Sequence, residues 1–268
     1  MTDNHSENEW CRTNNLTTAK GACSKLGFDS SLAYNWTKQT NEKVWIINAA
    51  EGNTSITSWI PTGNNFKQAV ALYQQAAEVL QKECHLGHYY LKHKGYFFLQ
   101  GENDKKMSSL AYKNYFLQMH KGLENQLTLE FAGLLTVRAG MNKTCTKDFK
   151  MNGPRTAQKQ LAKENNNIYM VSTISDLWTD DKSVANYFKK AYKSINDYHI
   201  KNPMSDKNVK IPSTVNDVHS TIHYDQLGYN EIGREAAKNM TSILHYKNTA
   251  KRQKLSLYLD FLLTSLHD

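Results

Sequence analysis

The 268-residue sequence predicts an α/β chain of three layers, α/β/α, with a parallel doubly wound sheet between helices. Two features carry that expectation. Short apolar runs alternate with longer stretches whose apolar residues recur every three or four positions, and strands separated by helices pair in parallel. Several runs also stop at a polar block, where sheets of this kind place their chemistry. One domain is expected at this length, and only 4 Pro and 13 Gly argue against a long flexible linker.

Residues 1–26 show neither a period of 2 nor one of 3.6, are rich in Asn, Thr and Ser, and read as an irregular segment. Val44 to Ala50 is an apolar run that suits a strand buried on both faces, and it ends at Gly52. Phe66, Ala69, Val70, Tyr73, Ala77 and Leu80 mark an amphipathic helix. Tyr96 to Leu99 is the next strand. Tyr112, Tyr115, Phe116, Met119 and Leu123 repeat the helical spacing, with Ser108 or Ser109 as N-cap. Glu130 to Val137 is a further strand. Pro154 opens a helix to about Lys163, since proline suits a first turn, and Ile168 to Thr173 is another strand. Val184 to Ile195 and Tyr229 to Leu244 are the last clear helices. The main domain spans 27–246, followed by a basic C-terminal extension, 247–268, in which Leu255 to Phe261 alternates like a strand.

A net charge of +8 suggests acidic partners, yet the basic residues are scattered. Lys189, Lys190 and Lys193, and Lys247, Lys251, Arg252 and Lys254, are not interleaved with stacking aromatics, so a solvated basic surface is expected and no nucleic-acid partner. No apolar run reaches the ~18 residues needed to span a bilayer, so no membrane partner is expected either. The start is polar and acidic, unlike a secretory signal. The chain is then cytoplasmic if Met1 is its true start, and secreted if a signal segment lies upstream. Cys11, Cys23, Cys84 and Cys145 form no CxxC pair and read as free thiols. Five Asn-x-Ser/Thr sequons, from Asn15, Asn35, Asn53, Asn142 and Asn239, do not decide the compartment. Cys84, His85, His88 and His93 have no second cluster at zinc spacing, so no metal and no cofactor are expected.

Three blocks carry candidate chemistry. Ala49 to Trp59, with Glu51-Gly52-Asn53-Thr54-Ser55-Ile56, follows the first strand. Gln100-Gly101-Glu102-Asn103-Asp104 follows the second. His219 to Tyr229, with His223-Tyr224-Asp225-Gln226-Leu227-Gly228, leads into the last clear helix. Each alone has a bland reading. A glycine after a strand serves a turn, a lone histidine is usually a hydrogen-bonded structural residue, and Glu102 with Asp104 suits an acidic first turn.

In this order the blocks resemble the sialate O-acetylesterase-like carbohydrate esterases of the SGNH-hydrolase superfamily. Ala50 to Trp59 is similar to that family's GGTSI..W block, Gln100 to Asp104 to its QGESD block, and His223 to Gly228 to its terminal HY...GY block. The Arg155-x-x-Gln158 helix, the Asp176-Leu177-Trp178 turn and a helix start at Ser31-Leu32-Ala33-Tyr34 also resemble features of the family, and the likeness spans about Gly27 to Leu244. It implies a flavodoxin-like sheet and serine-type hydrolysis of an acetyl ester on a sugar. A serine hydroxyl is a poor nucleophile until an imidazole takes its proton, and the oxyanion needs preorganised donors. The resemblance assigns His223 as general base and Gly52 or Asn53 with Gln100 as oxyanion donors, with Glu102 in the same substrate-binding loop.

The sequence departs from that pattern three times. Asn53 replaces a second glycine. Ser220 stands where the family's acid is expected, three residues before His223, which leaves Asp217, six before it, as the orienting carboxylate; His219 is a weaker candidate base. No GQSN or GDS block follows an apolar strand before Val44, and the nucleophile is unassigned. Gly27-Phe28-Asp29-Ser30-Ser31-Leu32 is only superficially similar to a GDSL sequence, because Thr17 to Leu26 does not read as a buried strand. Without the block's strand the sheet should have two exposed inner edges, a gap Leu255 to Phe261 is one candidate to fill. The alternative expectation is an inactive or truncated relative that binds a glycan or partner.

Overall fold

The computed structural model of the chain describes residues 27–137, 152–201, 210–218 and 224–264, with backbone alone from residue 249 onward. Helix α1 (Asp29–Thr40) is followed by an irregular stretch, a 3-10 turn (Ile56–Trp59) and helix α2 (Asn64–His85). Strand β1 (Gly95–Phe98) leads through a 3-10 turn (Glu102–Asp104) to α3 (Ser109–Leu127), β2 (Phe131–Leu135), α4 (Asn152–Glu164) and β3 (Ile168–Ser172). After a third turn (Ile174–Leu177) come α5 (Asp181–Ala191), α6 (Ile195–Lys201), a fourth turn (Val215–Asp217) and the long α7 (Gln226–Thr264).

The three strands pair in parallel in the order β1-β2-β3, with Gly95 opposite Phe131 and Leu134 opposite Met170. Helical crossovers are what parallel pairing requires, since a tight hairpin cannot return the chain in the same direction. All five residues of β2 are buried, the reason its sequence, Phe-Ala-Gly-Leu-Leu, runs apolar without alternation. Side chains of a strand still point to alternate faces. Phe131, Leu135 and Val171 pack with Leu32 and Trp36 of α1 and with Ile232, Ala236 and Met240 of α7. Ala132, Leu134 and Ile168 pack on the opposite face with Tyr112 and Phe116 of α3 and Ala157 and Leu161 of α4. The result is the three-layer α/β/α arrangement expected.

The expected helices and three of the four expected strands form, close to their predicted bounds except for the last helix, which was expected to end at Leu244 and runs on to Thr264. Ser108 caps α3 by accepting the Ala111 N–H at 3.2 Å, and Pro154 lies in the first turn of α4. The helix expected over Val184 to Ile195 stops at Ala191, where Tyr192 turns extended, and Ile195 opens α6.

Two expectations are corrected. Val44 to Ala50 is not a strand: no backbone hydrogen bond joins it to any described residue, and Trp45 is 41% exposed. A strand exists only with a partner for its N–H and C=O groups, and none lies beside this run among the described residues. Leu255 to Phe261 belongs to α7 and fills no gap in the sheet. Its Leu255, Tyr258, Leu259 and Leu262 also satisfy helical spacing, and continuation of an existing helix needs no new nucleus. Residues 1–26, and with them Cys11, Cys23 and Asn15, lie outside the described residues, as do Asn142 and Cys145; Cys84 is a free thiol. Among the described residues no helix is long and apolar enough to cross a membrane, and no group of three His, Cys, Asp or Glu could hold a metal.

On the buried face of α3, His120 is 5% exposed, with Nδ1 2.9 Å from the Tyr96 hydroxyl and Nε2 3.4 Å from Glu124 without hydrogen-bond geometry. Burial holds its pKa below the ordinary value, against the opposing pull of Glu124 and Asn167. Below about pH 6.5 the unfolded chain therefore binds a proton that the folded chain refuses, so stability falls as pH drops through that range. Urea denaturation between pH 7.5 and 5 should register this loss, and His120→Gln should flatten that part of the profile. An unchanged pH slope in the variant would contradict the assignment.

Candidate active site

The carboxyl ends of the strands carry a dense polar network. Gly101 follows β1 with φ +139°, and a Cβ there would lie 2.9 Å from the Pro154 Cβ and 3.2 Å from the Val137 Cγ1, so only glycine fits this turn. The turn directs Gln100 inward, where it is 7% exposed. Its Nε2 donates to the Thr54 carbonyl at 2.9 Å and to Asp104 Oδ2 at 2.7 Å, and its Oε1 accepts the Tyr112 hydroxyl at 2.8 Å. Gln158, fully buried, donates from Nε2 to the Gln100 carbonyl at 2.9 Å and accepts the Val137 N–H at 3.2 Å. One amide thus fastens the end of β1 to the end of β2.

Asp104 is the hub. Its Oδ1 accepts the Ser55 hydroxyl at 2.5 Å and its Oδ2 accepts the Ile56 N–H at 2.8 Å as well as Gln100. Asn103 donates to the Asn53 carbonyl at 3.1 Å. These bonds pin residues 53–56 against the turn after β1. Both amide hydrogens of Gln100, the residue expected from the sequence as an oxyanion donor, are engaged in this structure by Thr54 and Asp104, and the side chain fastens the loop. Gly52 and Asn53 remain at the loop's exposed tip, and among the described residues no backbone carbonyl accepts the N–H of either. Asn53 adopts the left-handed conformation, φ 59°, which asparagine tolerates better than most residues and which accounts for a non-glycine here.

The third block reaches the same rim. Tyr224 is buried with its hydroxyl 3.5 Å from the Thr136 carbonyl, just past β2. Burial, and then the negative charges of Glu102 and Asp225, push the Tyr229 phenol up to about 12. His223 and His219 lie outside the described residues. Asp217 accepts the Ser213 N–H at 2.8 Å and the Thr214 N–H at 2.7 Å. Burial raises its pKa, but those hydrogen bonds outweigh burial and hold it below the ordinary value. It caps its own turn. Arg155 and Lys159 both pair with Asp176, which ties α4 to the turn after β3.

Sequence reasoning missed the central part played by Asp104, Ser55 and Tyr112. The only signal was spacing: Asp104 stands four residues after Gln100, across a turn, and Ser55 is one of three hydroxyl residues between Asn53 and Ser58. Ser30 and Ser31 of the GDSL-like stretch lie in the first turn of α1, and the buried Ser31 donates to the Asn230 carbonyl at 2.6 Å, so neither is a strand-end nucleophile.

A family model described as carbohydrate esterase, sialic acid-specific acetylesterase, matches residues 4–184, well over half of the chain. The match covers the first two blocks and stops before the third. No curated protein matches the sequence.

Proposed function

Because the chain belongs to the carbohydrate esterase family of sialic acid-specific acetylesterases, we propose that its strand-end site hydrolyses an acetyl ester carried by a sugar. His223 is the general base that takes the proton of the attacking hydroxyl, and the N–H groups of Gly52 and Asn53 receive the oxyanion. Glu102 lines the substrate side of the same rim, and Asp217 fixes the turn from which the His223 segment departs. The observation that supports this most is the approach of three sequence-distant blocks to the strand ends: Gln100 after β1 grips the 53–56 loop, while Tyr224, just before α7, reaches the Thr136 carbonyl after β2.

Three serine hydroxyls described at this rim are engaged elsewhere: Ser55 with Asp104, Ser172 with Glu235 and Ser175 with the Thr136 carbonyl. That favours a second reading, a module that keeps the cleft and binds the acetylated glycan or a partner without turning it over. Hydrolysis of 4-nitrophenyl acetate and of an O-acetylated sialic acid by the purified chain decides between them. The enzyme reading expects turnover that His223→Ala lowers by about 100-fold or more, the usual contribution of a general base. Equal background rates in both proteins, with glycan binding intact, would establish the binding module.

A further inference from the structure

We propose that Asn103 is a positioning residue for the oxyanion donors: its carboxamide holds the Asn53 backbone, and through it the turn that presents the N–H groups of Gly52 and Asn53. The proposal rests on the assignment of those two N–H groups as oxyanion donors, and Asn103 itself touches no reacting atom.

Three observations carry it. The first is a backbone conformation that needs support. Gly52 and Asn53 form the centre of a tight turn between Glu51 and Thr54, with Asn53 at φ 59°. A positive φ at the third place of a turn is glycine's by preference, and asparagine bears it at some cost. An exposed residue keeps such a conformation only where its surroundings over-determine it. The second observation is how little surrounds this turn. Residues 51–53 are exposed, and a Cβ on Gly52 would meet nothing within 4 Å, so packing does not hold the tip. Side chains hold it instead. The Thr54 hydroxyl donates to the Glu51 carbonyl at 3.0 Å and accepts the Trp59 indole N–H at 3.0 Å, which closes the base of the turn. Gln100 donates to the Thr54 carbonyl at 2.9 Å. Among the described residues only Asn103 bonds to the tip itself, donating from Nδ2 to the Asn53 carbonyl at 3.1 Å.

The third observation is the mounting of Asn103. Its side chain is exposed, but its backbone lies in the 3-10 turn after β1. There the Asp104 N–H donates to the Gly101 carbonyl at 3.1 Å and the Met107 N–H to the Asp104 carbonyl at 2.8 Å. Asp104, next in the chain, is 4% exposed and holds Ser55 and Ile56. The donor therefore stands on the buried hub and reaches out to a tip that nothing buries. Holding the Asn53 carbonyl fixes the peptide after Asn53, while Thr54 and Glu51 fix the ends of the turn, so the two N–H groups between them keep one direction. Folding gains little from this bond, because at an exposed site it replaces a bond to water. Catalysis gains more, since donors already aimed at developing charge need no reorganisation during the reaction.

The test compares the full chain with Asn103→Ala, Asn53→Gly and the double variant, by thermal unfolding, amide nitrogen relaxation and hydrolysis of 4-nitrophenyl acetate. Asn103→Ala should move the melting temperature by no more than about 2 °C, as surface substitutions do. The order parameter of the Asn53 amide should fall below about 0.6, the range of flexible backbone. Its kcat should drop by about tenfold with KM changed by less than about twofold, the mark of an interaction made in the transition state. Glycine takes positive φ without cost, so in the Asn53→Gly background the loss of Asn103 should lower kcat by less than about threefold. Unchanged order parameters at residues 52–54 overturn the proposal. So does a loosened turn with kcat intact, or a loss of kcat equally large in the glycine background. A wild-type chain that releases no 4-nitrophenol above background sinks the esterase reading instead, and the order parameters then decide by themselves whether Asn103 holds the turn.

Discussion

Asp104→Ala is expected to destabilise the protein by about 3 kcal/mol or more and to release the loop that carries Gly52 and Asn53. Asp104 is 4% exposed and receives three donors, from Ser55, Ile56 and Gln100. Alanine leaves all three without an acceptor, and Ile56, whose N–H is among them, is fully buried. Each buried donor left unsatisfied costs roughly 1–3 kcal/mol, and the loss falls short of the full sum only because water can reach Ser55. For a chain of this size the melting temperature should fall by roughly 6–12 °C. Asp104→Asn should be much milder. Its carbonyl can take the place of Oδ2 for Ile56 and Gln100, while its amide donates to a Ser55 hydroxyl that has turned to accept. Calorimetry on the three proteins, with hydrogen exchange of residues 52–56, is the measurement; an alanine variant as stable as the asparagine one would contradict the network. If the esterase reading holds, the alanine variant also loses kcat, because its oxyanion donors are no longer held in place.

Glu231→Ala should cost about 3–5 kcal/mol, the range for breaking a buried ion pair from one side. Glu231 is fully buried on α7 and accepts from the hydroxyls of Tyr187, at 2.6 Å, and Tyr192, and from the Arg234 guanidinium. Burial, and then the neighbouring Glu231 charge, push the Tyr187 phenol well above its ordinary pKa, so it stays a donor at every physiological pH. This cluster joins α7 to α5. Removing the carboxylate strands a partly buried cation and two phenols. The check is a double-mutant cycle with Arg234→Ala by urea denaturation: the two losses should be clearly less than additive. Additive losses would mean that the pair contributes independently of its contact.

Much of this was legible in the chain itself. Tyr112, Phe116, Met119 and Leu123 announce the face of α3, and the unbroken run Phe131 to Leu135 announces a strand covered on both sides. The Gln100 to Asp104 block announced where β1 ends. The order of the blocks was enough to place the chain in its family.

The tertiary structure decided the rest. Val44 to Ala50 carries a strand's sequence without being one, because pairing requires a second backbone alongside it and composition does not report whether one is present. Leu255 to Phe261 fits both periods, and continuity with α7 chose between them. That the Gln100 amide hydrogens go to Asp104 and Thr54, four residues after it and forty-six before it, is likewise visible only in the fold. The physical reason is the same in each case. Periodicity encodes which face of a segment is apolar, a property of neighbours a few residues apart, and the sequence determined that much. Which polar atom satisfies which is settled only when segments far apart in the chain meet.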